Sequence, residues 1–316
     1  MFAHQAGSRF VSAIFPGLLG FVGRGRFLGF AGILGFGGLL VVAGILVPDA
    51  ASSQTLLPTR VQLPTQTKEN RQPSTCAAVA QSLPGATYAS LQTAAVPTHQ
   101  VRITFSGHST YLIESAGGVV IATDYSGFTG SVMPNVVTMN RAHETHYTDY
   151  PDPSIKWVLP GWGPKLGTEG DKADHHLTVE DVLIRNVTTD IVRGGQRYVN
   201  QNSIFIFEVA GLCIGHLGHL HHDLTESHYA DIGRLDIVMV PVDGGLTLSL
   251  GGMATVANRL RSSIILPMHV RGWATPADFI TSLGEGFAHE FMTSRSLTVS
   301  LNTLPTTPTV MVPQGL

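Results

Sequence analysis

The chain has 316 residues, 43% of them hydrophobic and only 13% charged, with 14 His and two Cys. The charged fraction is about half the roughly 25% of an ordinary soluble protein, which excludes charge-driven disorder. A formal charge of −3 leaves no basic footprint for nucleic acid, and two cysteines exclude a disulfide scaffold or an all-cysteine metal cluster.

Residues 1–51 read as a signal peptide or membrane anchor rather than part of a fold. Phe27–Val47 is an uncharged apolar run of 21 residues, preceded by Arg24 and Arg26 and followed by Ala50, Ala51 and Ser52. Basic flank, apolar core and small-residue exit make an export signal. The run is also long enough to span a bilayer, which takes about 20 residues. Either way the arginines stay inside and the rest of the chain is exported. The expected location is periplasmic or membrane-tethered, with membrane contact through this segment alone.

Residues 52–97, rich in Ser, Thr, Gln, Pro and Ala, form a flexible linker with one short helix around Cys76–Ser82. Cys76 and Cys213 can pair in an oxidising compartment. The alternative is two free thiols, with Cys213 buried in a strand.

From about Val101 the texture changes to short β-branched runs between turn signals. Strands are expected at Val101–Phe105, Thr110–Glu114, Val119–Thr123, Val136–Met139, Lys156–Leu159, Val182–Val187, Ser203–Val209, Leu212–Leu217, Asp236–Val242 and Ile264–Met268. Helices are expected at Thr225–Ile232, Gly252–Leu260 and Pro276–Leu283, with Thr225 and Thr275 as N-caps and Pro276 at a first helical position. Strands first and strand–helix alternation later predict two sheets with helices on the outer faces, formed by residues 98–316. That domain carries 13 Lys+Arg against 20 Asp+Glu, a net of −7, which disfavours an anionic polymer as substrate.

Three histidine groups each follow a strand. His143 and His146 follow Val136–Met139. His216, His219, His221 and His222 follow Leu212–Ile214, and His269 follows Ile264–Met268. Loops beyond strand ends converge in α/β architectures, so these imidazoles can meet. Neutral imidazole is the commonest metal ligand, and three around an open position make a catalytic zinc site. His175, His176, His228 and His289 are read as ordinary polar residues. His108 sits in a Gly107-His108-Ser109 turn. Asp124 either orients a ligand or caps a turn; Asp243 is either a strand-end base or an ordinary turn residue before Gly244-Gly245. Trp157, Trp162 and Trp273 either line a pocket or pack in the core.

Residues 101–313 resemble the metallo-β-lactamase-fold hydrolases, in the broad group that includes lactonase-like proteins. The resemblance is carried by ITFSGHSTYLIESAGGVVIATD (Ile103–Asp124), VVTMNRAHETHYTD (Val136–Asp149), SIFIFEVAGLCIGHLGHLHHDLT (Ser203–Thr225), and Leu235–Gly245 with Ser263–His269. It implies an αββα sandwich and a metal site built on a His-x-His-x-Asp-His loop. Laid on that loop, this chain has Arg141 for the first His and Thr145 for the Asp. His219 stands where the bridging Asp is usual, and no His exists near Thr189 or Asp190 where the middle ligand falls.

The metal ligands implied are His143, His146, His219 and His269. His108, Asp190 and Asp243 are candidates for catalytic roles, and Arg141 for an anion anchor. Two cations about 3.5–4 Å apart need carboxylates between them; with Thr145 and His219 in their place and a permanent positive charge added by Arg141, one Zn²⁺ per chain is expected. The implied function is hydrolysis of an ester, lactone or phosphoester of a small molecule by metal-activated hydroxide. The alternatives are a non-catalytic binding module on the same fold and a periplasmic metal-binding protein. The sequence carries no signal of oligomeric state.

Overall fold

The computed structural model describes residues 71–77, 96–166, 168, 170–271 and 274–316. The signal segment, most of the 52–97 linker and Trp273 lie outside the described residues. No helix among the described residues is long and apolar enough to cross a membrane.

Two mixed sheets form the body. The first is built from β1 (Val101–Gly107), β2 (Thr110–Ser115), β3 (Val120–Ala122), β4 (Val136–Met139), β5 (Trp157–Pro160) and β13 (Ser296–Val299), in the order β13-β1-β2-β3-β4-β5. The second contains β6 (His176–Val179), β7 (Val182–Arg193), β8 (Gln196–Val209), β9 (Leu212–His216), β10 (Ile237–Pro241), β11 (Ile264–Met268), β12 (Ala288–Phe291) and β14 (Thr309–Val312). Its order is β12-β14-β11-β10-β9-β8-β7-β6. In the first sheet β3, β4 and β5 run parallel; in the second β9, β10, β11, β14 and β12 do. Each parallel block sends its strand ends to one edge.

Alternation along the strands explains the layering. Phe205 and Phe207 of β8 face the first sheet, where they join Ile103, Ile113 and Ile121; Ile204 and Ile206 face the other way. In β10, Ile237 and Met239 take the inner side and Val238 and Val240 the outer. The stretches Ile204–Phe207 and Ile237–Val240, buried on both faces, are apolar at every position. The outer face of the second sheet packs on α1 (Glu226–Ile232), α2 (Leu250–Leu260) and α3 (Pro276–Leu283) through Ile232, Met253, Ala257, Phe279 and Leu283. Thr225 and Thr275 cap α1 and α3 with reciprocal side-chain bonds, and Pro276 opens α3. Leu112, Ala122, Tyr125, Val137, Met139 and Ile155 form a smaller cluster on the first sheet, with no helical residue among them. The architecture is the expected α/β sandwich of the metallo-β-lactamase type.

The expected strands and helices form within a few residues of their predicted bounds. Strands β6, β12, β13 and β14 were not expected. All four residues of β12 are exposed, so no apolar alternation marks it. The β7–β8 hairpin also reaches further than expected, to a Gly194-Gly195 turn, because its distal part is built from polar residues such as Asp190, Asn200 and Asn202.

Cys76 and Cys213 are disulfide-bonded. Residues 71–77 therefore lie against the second sheet rather than hanging free, and Thr75–Ala77 form a turn at the start of the expected helix. Glu208 receives the Thr75 N–H (2.8 Å), the Thr75 and Ser74 hydroxyls, and Arg185 Nε (2.9 Å). Arg71 pairs with Asp174 through both carboxylate oxygens. A cross-link closing a separation of 137 residues constrains the unfolded chain strongly. Cys76→Ser is expected to cost about 2–4 kcal/mol of stability, read as a lower urea midpoint at unchanged slope.

Candidate metal centre

Five imidazoles meet at the edge where the parallel strands of both sheets end. The β1–β2 turn supplies His108. The loop after β4 supplies His143 and His146, the segment after β9 supplies His219, and His269 directly follows β11. The chain bends sharply there. His108, Asp124 and His269 all adopt positive φ (52°, 44° and 54°), and the His269 N–H donates to the His108 carbonyl at 2.9 Å. Backbone strain of this kind persists only where the surroundings fix it.

Four of the five imidazoles bond Nδ1 to a neighbouring side chain and turn Nε2 towards the cluster. His146 Nδ1 bonds Asp124 Oδ2 at 2.7 Å, and His269 Nδ1 bonds Asp243 Oδ2 at 2.8 Å. An ionised carboxylate can only accept, so in both rings the proton sits on Nδ1 and the Nε2 lone pair is free. His143 Nδ1 meets the Thr145 hydroxyl at 2.8 Å, and His219 Nδ1 meets His221 Nε2 at 2.6 Å. On the inner side, Nε2 of His108, His146 and His269 is buried with no hydrogen-bond partner. The potential ligand atoms of His108, His143, His146 and His269 lie within 4.8 Å of one another. His219 adjoins this set, its Nε2 3.1 Å from that of His143.

Burial, followed by the mutual repulsion of the rings, pushes His108 down to about 3 and His143 to about 4, and takes His219 well below the ordinary imidazole range. Asp124 and Asp243 are held below the usual carboxylate range. Burial alone would raise both, but it is outweighed by the nearby imidazoles and by hydrogen bonds to His146 and Asn140 for Asp124, and to His269 and Thr247 for Asp243. The site is thus a cluster of ring nitrogens backed by two anionic carboxylates. Buried lone pairs without partners are costly, and a divalent cation satisfies them; the donor set fits zinc.

The sequence-derived candidates divide. His143, His146 and His269 come together with His219 alongside, and His108, expected in a catalytic role, sits among the potential ligands. Asp243 stands behind His269. Its Oδ1 accepts the N–H groups of Gly245, Leu246 and Thr247, and its Oδ2 also accepts the Thr247 hydroxyl. Every lone pair is engaged, which suits an orienting residue and not a base. Asp190 is bound by Arg197 Nε at 2.5 Å and by the Asn200 N–H at 2.8 Å, and none of its hydrogen bonds reaches the five imidazoles. Asp124 takes the orienting role that was one of its two expected readings. Thr145 supports His143 from behind. Arg141 is stacked over Tyr147 and Trp162, at 4.9 and 5.4 Å from their ring centres. His216 is structural: its Nε2 donates to the Ser109 carbonyl at 2.9 Å and its Nδ1 accepts the Gly218 N–H.

Two asparagines went unnoticed in the sequence. Asn140 Nδ2 donates to Asp124 Oδ1 (2.8 Å), while its Oδ1 accepts the Ser203 N–H from β8 (2.7 Å). Asn202 Oδ1 accepts the His219 N–H (2.8 Å). Both crowd Gly218, where an added Cβ would fall 2.4 Å from each side chain at a φ of +61°. The available signal was the position of Asn140 and Gly218 at the ends of β4 and β9.

A family model of the beta-lactamase superfamily domain matches residues 102–269, a span that contains all five imidazoles. The chain belongs to the beta-lactamase superfamily. Its relatives include a UPF0173 metal-dependent hydrolase of Pyrococcus furiosus, 22% identical over 214 residues that span 58% of this chain and 93% of the relative. Similar solved structures include a protein of the metallo-beta-lactamase superfamily from Thermotoga maritima, 25% identical, covering 67% of this chain and 98% of its own with a TM-score of 0.49. The metallo-beta-lactamase fold protein YhfI of Bacillus subtilis is 10% identical, with 67% and 96% covered and a TM-score of 0.45. Within the superfamily the chain is a metal-dependent hydrolase, with a histidine cluster able to bind the metal.

Two expectations follow from the network behind the imidazoles. Asp124→Asn removes the acceptor that fixes the His146 tautomer and should weaken metal binding about 10–100-fold, measured by competition with a chromophoric chelator. Gly218→Ala should cost at least about 1–3 kcal/mol from the positive φ alone, and should lower metal affinity as well because His219 is displaced.

Proposed function

We propose that the protein cleaves an ester, lactone or phosphoester bond of a small molecule, using one zinc ion held by imidazoles alone. The observation that carries this reading is the set of three buried, partnerless Nε2 atoms of His108, His146 and His269, with His143 completing the group. His108, His143, His146 and His269 would hold a divalent ion there, which would supply polarisation of the scissile oxygen and a water molecule of lowered pKa.

The chain's own groups divide the remaining work. Asp124 and Asp243 hold His146 and His269 in the tautomer that points a lone pair inward. Thr145 holds the His143 ring through its hydroxyl, which can donate or accept, without adding the negative charge of the usual carboxylate. His143 also lines an open cavity beside the cluster, so this ring is where an entering substrate first meets the potential ligands. Asp243 has no lone pair left to act as a general base, and the hydrogen bonds of the Asp190 carboxylate go to Arg197 and Asn200 rather than to the imidazoles, so positioning, rather than proton abstraction, is assigned to Asp124 and Asp243.

Export is part of the same proposal. It is supported by the signal-like Phe27–Val47 segment and by the Cys76–Cys213 disulfide, which is at home in an oxidising compartment.

The decisive measurement is elemental analysis of the purified protein alongside a hydrolysis screen on esters, lactones and phosphodiesters. About one zinc per chain is expected, lost in His146→Ala and in His269→Ala together with turnover. His219→Asp, which places a carboxylate beside His143, should move stoichiometry towards two. Two tightly bound ions in the unaltered protein would overturn the single-site reading, and a loaded protein inert to every ester, lactone and phosphodiester would overturn the proposed chemistry.

A further inference from the structure

Beside the imidazoles lies an open cavity of about 620 Å³ that His143 lines together with Arg141, Arg193, Arg271, Tyr147 and Tyr198. Three of the 13 basic residues of a domain with a net charge of −7 are gathered here. They come from three separate places: the loop after β4, the tip of β7 and the segment after His269. Glu144 is the one acidic residue on the lining among the described residues.

The arginines are held in ways that leave their hydrogen-bond donors free. Arg141 is fixed mainly by the ring faces of Tyr147 and Trp162, which use none of its five N–H groups. Asp149 stands at 3.7 Å from it, beyond hydrogen-bond length. Arg193 spends one Nη1 donor on the Ala142 carbonyl at 3.1 Å, and its guanidinium lies over the Tyr198 ring. Arg271 is exposed and makes no hydrogen bond or ion pair among the described residues. A planar fork with unspent donors matches the oxygens of a carboxylate or a phosphate, and several such forks at one place discriminate by charge.

We infer that this cavity receives an anionic end of the substrate, a carboxylate or a phosphate, and thereby sets the bond to be cut against the imidazoles. The inference rests on the hydrolase reading above and names the substrate class that it leaves open. It also gives Arg141 a purpose: the residue standing where a metal ligand is usual serves the substrate instead. The acidic remainder of the domain repels long polyanions, so the site selects small anions.

The test uses zinc-loaded full-length protein and two probes. The first is a pair of esters, 4-nitrophenyl butyrate and mono-4-nitrophenyl glutarate, which differ in a remote carboxylate. The second is inorganic phosphate, its binding followed by calorimetry. The glutarate ester is expected to show a kcat/KM about tenfold or more above the neutral ester, the scale of one well-placed charged hydrogen bond. Arg141→Gln and Arg271→Gln should each shrink that preference and weaken phosphate binding, with metal content retained. Arg271→Gln, at an exposed position, guards against a folding defect in the first variant.

Equal rates on the two esters, with phosphate affinity unaltered in both variants, would overturn the inference while leaving the hydrolase reading intact. Arginine-dependent phosphate binding with no ester cleaved would sustain the anion site and count against the proposed chemistry. Neither cleavage nor arginine-dependent binding would end both.

Discussion

A carboxylate buried in a protein is costly unless it is hydrogen-bonded. Asp124 and Asp243 sit behind His146 and His269 with side chains that are 0% exposed, and the site is arranged around meeting that demand. Asp243 draws in three backbone N–H groups, a hydroxyl and an imidazole. Asp124 takes an imidazole and an asparagine amide. Each satisfied carboxylate fixes a ring and its tautomer, and each fixed ring turns an unsatisfied nitrogen inward. The cost is thus moved from the carboxylates to a group of lone pairs that only a bound ion can meet.

The same bonds lock the two sheets to each other. Asn140, beyond the end of β4, reaches Asp124 on one side and the backbone of β8 on the other. The Tyr111 hydroxyl of β2 donates to the Pro267 carbonyl of β11 at 2.7 Å, and His216 of β9 donates to Ser109 in the β1–β2 turn. Imidazoles contributed by different sheets can hold sub-ångström positions only if the sheets cannot slide, and these buried polar ties supply what apolar packing alone does not. The apolar layers place the strand ends; the polar ties set their spacing.

Legibility in the sequence follows the same division. The central strands were readable because burial on both faces makes Ile204–Phe207 and Ile237–Val240 continuously apolar, and the helices because Thr225 and Thr275 announce their caps. The edge strand β12 carries no such mark, since exposure removes the alternation that betrays a strand. Among the histidines, strand-end position found the right segments but could not assign roles. His216 and His219 are three residues apart, and only the fold shows that one bonds a carbonyl while the other borders His143. The Asp190 carboxylate bonds away from the five imidazoles for a reason absent from its local sequence: Arg197, across the hairpin, pairs with it. The disulfide was a coin-toss from spacing, because nothing near Cys76 predicts that Ser74 and Thr75 bond Glu208 and bring the two sulfurs together.

The exchanges at the ligand loop form one electrostatic change. Where two carboxylates are usual, Thr145 and His219 are uncharged, and an imidazole position has become the permanent cation Arg141. Each exchange taken singly weakens a second metal site. Taken together they shift the local charge towards positive, and Arg193 and Arg271 extend that shift along the cavity wall. A site decaying at random has no reason to bind each replacement into its surroundings. Here Thr145 bonds a ring nitrogen and Arg141 is stacked on two aromatic faces. The charge lost between the metals reappears as attraction for an anion beside them. On the proposed reading, one cation and an anionic substrate take the place of two cations and their bridging carboxylate.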